Sequence, residues 1–453
     1  MSMQMLSLAE SARQVRTGQL SPVELVESSL AWIDQLEPQL QAWVTLDRAG
    51  ALAAAQRYAE ELQQGQGRGP LHGVPVGVKD IFHTAGLRTT CGSAIFAEQV
   101  STYDATVVAR LKAAGAIILG KTHTTEFATL DPAPTHNPWH LEHTPGGSSS
   151  GSGAAVGAYM VAGALGSQTA GSVLRPAAYC GVVGLKPTFG RISRYGVFPV
   201  SWRLDHVGVL TRTVEDAALL LQVLAGHDPQ DISSSTMPVP DYLTGLEANL
   251  APRLGVMRDF FFAQAAPEVR QHTETTIARL RQAGAEISDI PQPESFLVGH
   301  AAHRTIMRVE AAAVHEDLYQ QHRDKYRPQI RGFIESGLLI PSVHYVRAQR
   351  LRRRLQRELE PHLAQVDAIL TPATPTAAPH GLHATGDPVF QTPWTFIGIP
   401  SLTIPSGLSA KGLPLGLQLA AAPFAEARLL AVARWCERVL AFTARPALVE
   451  AAS

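Results

Sequence analysis

Apolar residues three and four apart mark the first 63 residues as helical, and short unbroken apolar runs take over beyond residue 70. The first helix is predicted over Leu6 to Thr17 and stops at Gly18. A second begins at Ser21-Pro22-Val23-Glu24, which combines an N-cap serine, a proline at the first helical position and a capping-box glutamate. A third covers Leu52 to Gln63 and gives way to the loop Gly65 to Pro70. Val74 to Val78 then reads as a strand, Asp104 to Ala114 as a helix with Asp104 as N-cap, and Ala116 to Leu119 as a buried strand. Strand, helix and strand at this spacing predict a layered α/β fold.

Further along, the Ala/Gly-rich run Gly153 to Gly166 predicts a buried helix, over Gly153 to Ala164, that is too short to span a bilayer. Thr213 caps a helix running to Ala225. Residues 228–341 have weak periodicity and predict variable helices and loops. Ser342 to Leu363 predicts a long helix rich in arginine. Its Leu351, Leu355 and Leu359 form an i, i+4 apolar stripe, so the arginines read as a solvated face rather than a nucleic-acid surface. Ala368 to Leu370 reads as a strand, Ile397 to Pro405 as loops, and Ala425 to Leu440 as a last helix.

Composition narrows the class. At 453 residues, with 45% hydrophobic and 17% charged residues, the chain has the balance of an ordinary soluble globular protein, and length alone suggests two or three domains. A formal net charge of −1 gives no electrostatic reason to expect nucleic acid or an anionic membrane as a partner. Three widely spaced cysteines, Cys91, Cys180 and Cys436, fit buried thiols in a reducing cytoplasm, and no secretory signal opens the chain.

Candidate chemistry concentrates in three places. Lys79 stands alone in the apolar run Gly73 to Phe82, where desolvation favours the neutral amine. A serine-bearing glycine tract covers Gly146 to Gly153, and a second glycine-flanked serine stands at Ala170-Gly171-Ser172. The first tract lacks the Gly-Lys-Ser/Thr ending of a phosphate loop and the strand that a dinucleotide fingerprint follows. Gly147-Ser148-Ser149-Ser150-Gly151 has the spacing of a nucleophile elbow, but polar residues and Pro145 precede it where an apolar strand is needed. The remaining reading is a serine hydrolase whose base is lysine.

These residues resemble the amidase signature family. The resemblance rests on Val78-Lys79-Asp80, Gly146 to Gly153 and Ala170 to Ser172, and extends through Gly120-Lys121-Thr122, Glu126-Phe127-Ala128, Cys180 to Thr188 and Gly398-Ile399-Pro400. It implies one α/β/α domain around a large mixed sheet over residues 1–453, in place of two or three domains. Within that domain it implies N-terminal helices over about 6–63, a signature core over about 71–225 and a variable substrate-pocket region over about 228–341. It further implies Ser172 as nucleophile, Ser148 as a bridging residue on a cis peptide bond, Lys79 as general base, and the N–H groups of Thr169, Ala170, Gly171 and Ser172 as an oxyanion hole.

Three positions depart from the family pattern: Gln168 stands where aspartate is usual, Ala170 stands where glycine is usual, and Arg175 lies three residues after Ser172 instead of two, so no catalytic role is assigned to Arg175. Lys121, Lys186 and Glu126 are expected to be structural. His136, His140, His143, His300 and His303 have no acidic or cysteine partners at ligand spacing, so no metal and no cofactor are expected. The expected activity is a cytoplasmic amidohydrolase that cleaves a small-molecule C–N amide through a serine acyl-enzyme, with carbamate or ester carbonyls as further substrates. Expected partners are that small molecule alone, without nucleic acid or membrane, and with a homodimer permitted. The alternative is the glutaminase subunit of a tRNA-dependent amidotransferase, which needs charged groups for the two ends of glutamine; residues 390–396, where the resemblance directs the search for an aspartate, contain none.

Overall fold

The computed structural model describes residues 3–248 and 251–452. Its eleven described strands form one mixed sheet. In chain order they are β1 (Trp43–Leu46), β2 (Pro75–Lys79), β3 (Ile117–Thr122), β4 (Gly163–Gln168), β5 (Val183–Lys186), β6 (His206–Thr211), β7 (Arg253–Val256), β8 (Glu286–Asp289), β9 (Ala368–Pro372), β10 (Ser401–Leu408) and β11 (Pro414–Ala420). Across the sheet the order is β1-β3-β2-β4-β6-β5-β10-β11-β9-β7-β8. Every residue of β2, β3, β4, β5 and β6 is buried, which suits short strands covered by helices on both faces. The architecture is the expected three-layer α/β/α arrangement.

The N-terminal helices follow their local signals. Ser21 caps the helix Pro22–Leu40 through a complete capping box with Glu24. That helix and Arg48–Gln63 bury Ile33, Leu36, Ala51 and Ala55 in a core shared with the helix Ser150–Gly157. On the opposite face, Val107, Leu111, Leu220, Leu221 and Leu429 belong to the larger core. The three cysteines are free and buried.

Four expectations change. The Gly153 to Ala164 helix is shorter and earlier, Ser150–Gly157; the chain then turns, with Tyr159 at φ 61°, and the rest of the apolar run becomes β4. A fully buried run carries no periodicity to separate the two states, and small residues fit both. Asp104 does not cap the following helix, Thr106–Ala113; its carboxylate accepts from the Ala85 N–H at 2.8 Å and pairs with Lys112 at 2.8 Å. The expected loops around Ile397 to Pro405 contain the helix Thr392–Ile397 and the start of β10, which tolerates Pro405 beside a register shift. Residues 253–338 are regular: β7, the helix Pro267–Gln282 and β8 make a parallel unit, and Phe296–His322 and Pro328–Leu338 follow as helices.

The arrangement that positions the site lies at the middle of the sheet. Strands β2 and β4 run parallel, with Gly77 opposite Ala164 and Val78 opposite Leu165, so Lys79 and Ser167 emerge at the same carboxyl edge. Ligands of open α/β sheets gather at this edge.

Candidate active site

Lys79 ends β2 with its side chain fully buried, and its Nζ donates to Ser148 Oγ at 2.7 Å and to Ser167 Oγ at 2.8 Å. Burial lowers the Lys79 pKa to about 7, against the smaller upward pull of Asp205 and Cys91. The neighbouring lysine is different. Lys121 pairs with Asp80 at 3.1 Å and donates to Phe82 O and Thr89 Oγ1, which anchors the turn after β2. Lys186 donates to Ile399 O at 2.6 Å, and Glu126 accepts from Ser93 Oγ and the Arg327 N–H, so all three hold structure as expected.

The serine tract has distinct tasks along its length. The Gly147–Ser148 peptide is cis. Ser149 Oγ accepts from the Ser167 N–H, Ser150 Oγ donates to Gly146 O, and Ser152 Oγ donates to Leu165 O. Only Ser148 turns its hydroxyl to Lys79. Gly146 has φ +83°, and a Cβ there would lie 2.8 Å from Pro176 Cα, so the tract needs glycine to enter its turn against the helix Leu174–Cys180.

Ser172 sits in the loop between β4 and that helix, and its carbonyl accepts the Ser149 N–H at 3.3 Å. Among the described residues its hydroxyl has no hydrogen-bond partner, so the structure joins Lys79 to Ser148 directly and brings Ser172 alongside through the backbone. The N–H groups of Ala170, Gly171 and Ser172 likewise find no acceptor among the described residues. Gly171 is hemmed in: a Cβ would lie 2.7 Å from Gln391 Oε1 and 3.0 Å from Pro388 Cβ.

Two of the departures from the family pattern, Gln168 and Arg175, support this loop. Gln168 Oε1 accepts the N–H groups of Val173 (2.9 Å) and Leu174 (3.0 Å), while its amide nitrogen donates to Thr395 Oγ1 at 2.9 Å. The buried Arg175 guanidinium donates to Gly147 O and Gly386 O, both at 2.7 Å, and to Thr385 Oγ1 at 3.0 Å. It thereby ties the serine tract to the loop before Phe390.

Sequence reasoning missed Ser167, Asp205 and Thr395. Ser167 lies five residues before Ser172 and becomes visible once Gly163–Gln168 is read as a strand parallel to β2. Asp205 accepts from Thr169 Oγ1 at 2.5 Å and from the Val200 and Ser201 N–H groups, and no local motif marks it. A cavity of about 350 Å³ reaches Ser167, Thr169 and Asp205, and Tyr195, Phe198 and Trp202 form part of its wall. Among the described residues no group of histidine, cysteine, aspartate or glutamate side chains is arranged to hold a metal ion. His136 and His143 bond instead to the carbonyls of Leu141 and Ala378.

A buried lysine against a serine hydroxyl, at the carboxyl edge of a mixed sheet and beside a glycine-bounded serine loop, defines an α/β enzyme of the C–N-cleaving class. The chain belongs to the Amidase family, which it matches over residues 24–430. It is 39% identical to the A subunit of glutamyl-tRNA(Gln) amidotransferase from Roseiflexus sp. (strain RS-1), with 96% of each chain covered. Among solved structures it resembles a chain of a vestigial protein complex that bears on the origins of an s-triazine catabolic enzyme (31% identity, TM-score 0.90, 97% and 100% covered). It also resembles the A subunit of glutamyl-tRNA(Gln) amidotransferase from Thermotoga maritima (30% identity, TM-score 0.82, 96% and 95% covered).

These similarities correct two expectations. An enzyme acting alone on a small-molecule amide, carbamate or ester was expected, with no nucleic acid among its partners. The curated relatives at 37–39% identity are instead A subunits of an amidotransferase named for a tRNA, as is one of the solved structures. Composition gave no guide here because a near-zero net charge describes the whole chain and does not report on what assembly it enters.

Proposed function

We propose that this chain is the glutaminase subunit of a tRNA-dependent amidotransferase: it hydrolyses the side-chain amide of glutamine and releases ammonia for transfer in an assembly with protein partners. The observation that carries this reading is the end-to-end similarity, 37–39% identity over 96–98% of the chain, to the A subunits of such amidotransferases. A cytoplasmic setting belongs to the same reading. The described residues contain no helix long and apolar enough to cross a membrane, and all three cysteines are free thiols. The single sheet running from β1 to β8 supports treating the chain as one domain.

In this reading neutral Lys79 accepts the Ser148 proton across 2.7 Å while Ser148 takes the proton of Ser172, whose Oγ attacks the carboxamide carbon. The N–H groups of Thr169, Ala170, Gly171 and Ser172 hold the oxyanion. The relay then runs backward, the C–N bond breaks and the nitrogen leaves as ammonia. Water attacks the glutamyl ester, its proton goes to the relay, and glutamate is released.

This reading assigns Asp387 and Arg304 to the two charged ends of glutamine. Asp387 is exposed and precedes Pro388, which packs on Gly171, and its field reaches His300 together with that of the exposed Arg304. The carboxylate lies three residues before the stretch where it was sought.

The test is ammonia release from glutamine by the purified chain, with and without co-expressed protein partners and their tRNA, using Ser172→Ala as the blank. Glutamine turnover that rises with the partners is expected. No turnover in any combination would overturn the reading.

A further inference from the structure

We propose that His303 is a positioning residue of the oxyanion loop, which aims the Ala170 N–H at the carbonyl under attack by holding the Thr169 carbonyl from behind. This rests on the reading of Ser172 as nucleophile. His303 lies on the helix Phe296–His322, is 2% exposed, and its Nε2 is 2.8 Å from Thr169 O. Its ring meets Phe396 at a centroid distance of 6.2 Å, which fixes its plane. Because a carbonyl can only accept, Nε2 carries the hydrogen. Burial holds the His303 pKa down at about 4, so the ring is neutral and this is its single N–H.

Peptide geometry carries the effect from the carbonyl to the next amide. In a trans peptide the C=O and the following N–H point in opposite directions, and the Thr169–Ala170 bond is not among the cis bonds of the described residues. Pulling Thr169 O toward His303 turns the Ala170 N–H the other way.

The same device repeats along the loop. Thr395 Oγ1 donates to Ala170 O at 2.7 Å and thereby orients the Gly171 N–H; the Arg175 N–H donates to Gly171 O at 2.9 Å and thereby orients the Ser172 N–H. Three carbonyls are tied back and three N–H groups are left without an acceptor among the described residues. Of the three ties, the first comes from a side chain 134 residues away in sequence. Thr169 O has no other donor among the described residues, so without His303 this carbonyl loses its only hydrogen-bonded tie among them.

The test compares His303→Gln, which keeps a side-chain N–H donor, with His303→Phe, which keeps the ring volume without one. Two readouts are used: labelling of Ser172 by a fluorophosphonate, whose phosphoryl oxygen also needs the oxyanion hole, and steady-state hydrolysis of glutamine by the assembled enzyme. His303→Phe should slow labelling and lower kcat about 100-fold with KM unchanged, the scale of losing one oxyanion donor. His303→Gln should recover most of both. Equal rates in wild type and His303→Phe, or no recovery in His303→Gln when both variants melt with the wild type, would overturn the proposal. Wild-type labelling that depends on Ser172 but comes without glutamine turnover would sink the glutaminase reading and leave the His303 comparison intact.

Discussion

Gln168 joins the loop that carries Ser172 to a helix more than two hundred residues later by donating its amide N–H to the Thr395 hydroxyl at 2.9 Å. A carboxylate at this position could still accept from Val173 and Leu174 but could not donate to Thr395. Thr395 would then turn its own hydrogen to the carboxylate, away from Ala170 O. The amide therefore sets the direction of the whole chain of bonds from Val173 to Ala170.

Replacing Gln168 by glutamate should accordingly lower kcat for amide hydrolysis by about tenfold, a loss of roughly one hydrogen bond's worth of orientation, with little change in KM. Steady-state kinetics beside a melting curve checks this. A parallel collapse of melting temperature would mean that the substitution acts through folding.

The acid limb of the activity profile should report Lys79. The proposed proton relay needs the neutral amine, and burial lowers the Lys79 pKa to about 7, so kcat/KM should rise with pH up to about 7 and level above it. Lys186 is lowered to about 7 by burial as well, although it sits against Ile399 O away from the serines. The acid limb should persist in Lys186→Met, while Lys79→Ala should lower the rate by about 10³-fold or more. Fluorophosphonate labelling measured from pH 5 to 9, roughly spanning the Lys79 transition, decides between the two lysines.

Ser167→Ala removes one of the two hydroxyls that accept from Lys79. An acceptor favours the ammonium, so its loss should move the acid limb to lower pH, by about one unit if a charge-assisted bond is lost. The neutral amine also loses an anchor, so the plateau rate should fall. A limb that moves upward would contradict the assignment of Ser167 as an acceptor.

Arg175→Met should act on the loop that carries Ser148. It leaves the carbonyls of Gly147 and Gly386 and the Thr385 hydroxyl without their donor. Unpaired buried acceptors cost about 1–3 kcal/mol each, so a clear drop in melting temperature and faster proteolysis around residues 383–387 are expected, together with lost activity. Arg175→Lys should recover only part, because one ammonium cannot span the three acceptors.

The readable parts of the sequence were those governed by local chemistry. Ser21-Pro22-Val23-Glu24 announced a helix start, and the structure forms that capping box. The Leu355 and Leu359 stripe named the buried face of the arginine-rich helix, now Ser342–Gln365. The structure sets Lys79 Nζ 2.7 Å from Ser148 Oγ, two residues that the resemblance singled out. What stayed hidden depends on distant partners. Neither Thr395 nor His303 has a neighbour in sequence that hints at Ala170 or Thr169, and Ser167 was missed because β4 begins inside a run read as a helix and was not recognised as a strand.

The sheet order has a consequence for how the protein is made. Strands β10 and β11, the last to leave the ribosome, insert between β5 and β9, and thus close the sheet at its middle. The first half of the chain already contains Lys79, Ser148 and Ser172, but the donors from His303 and Thr395 arrive only with the second half. Long-range pairing of this kind forms late, because loop closure must precede the contacts that reward it. In the proposed mechanism the relay residues are thus made well before the two side chains that tie back the Thr169 and Ala170 carbonyls.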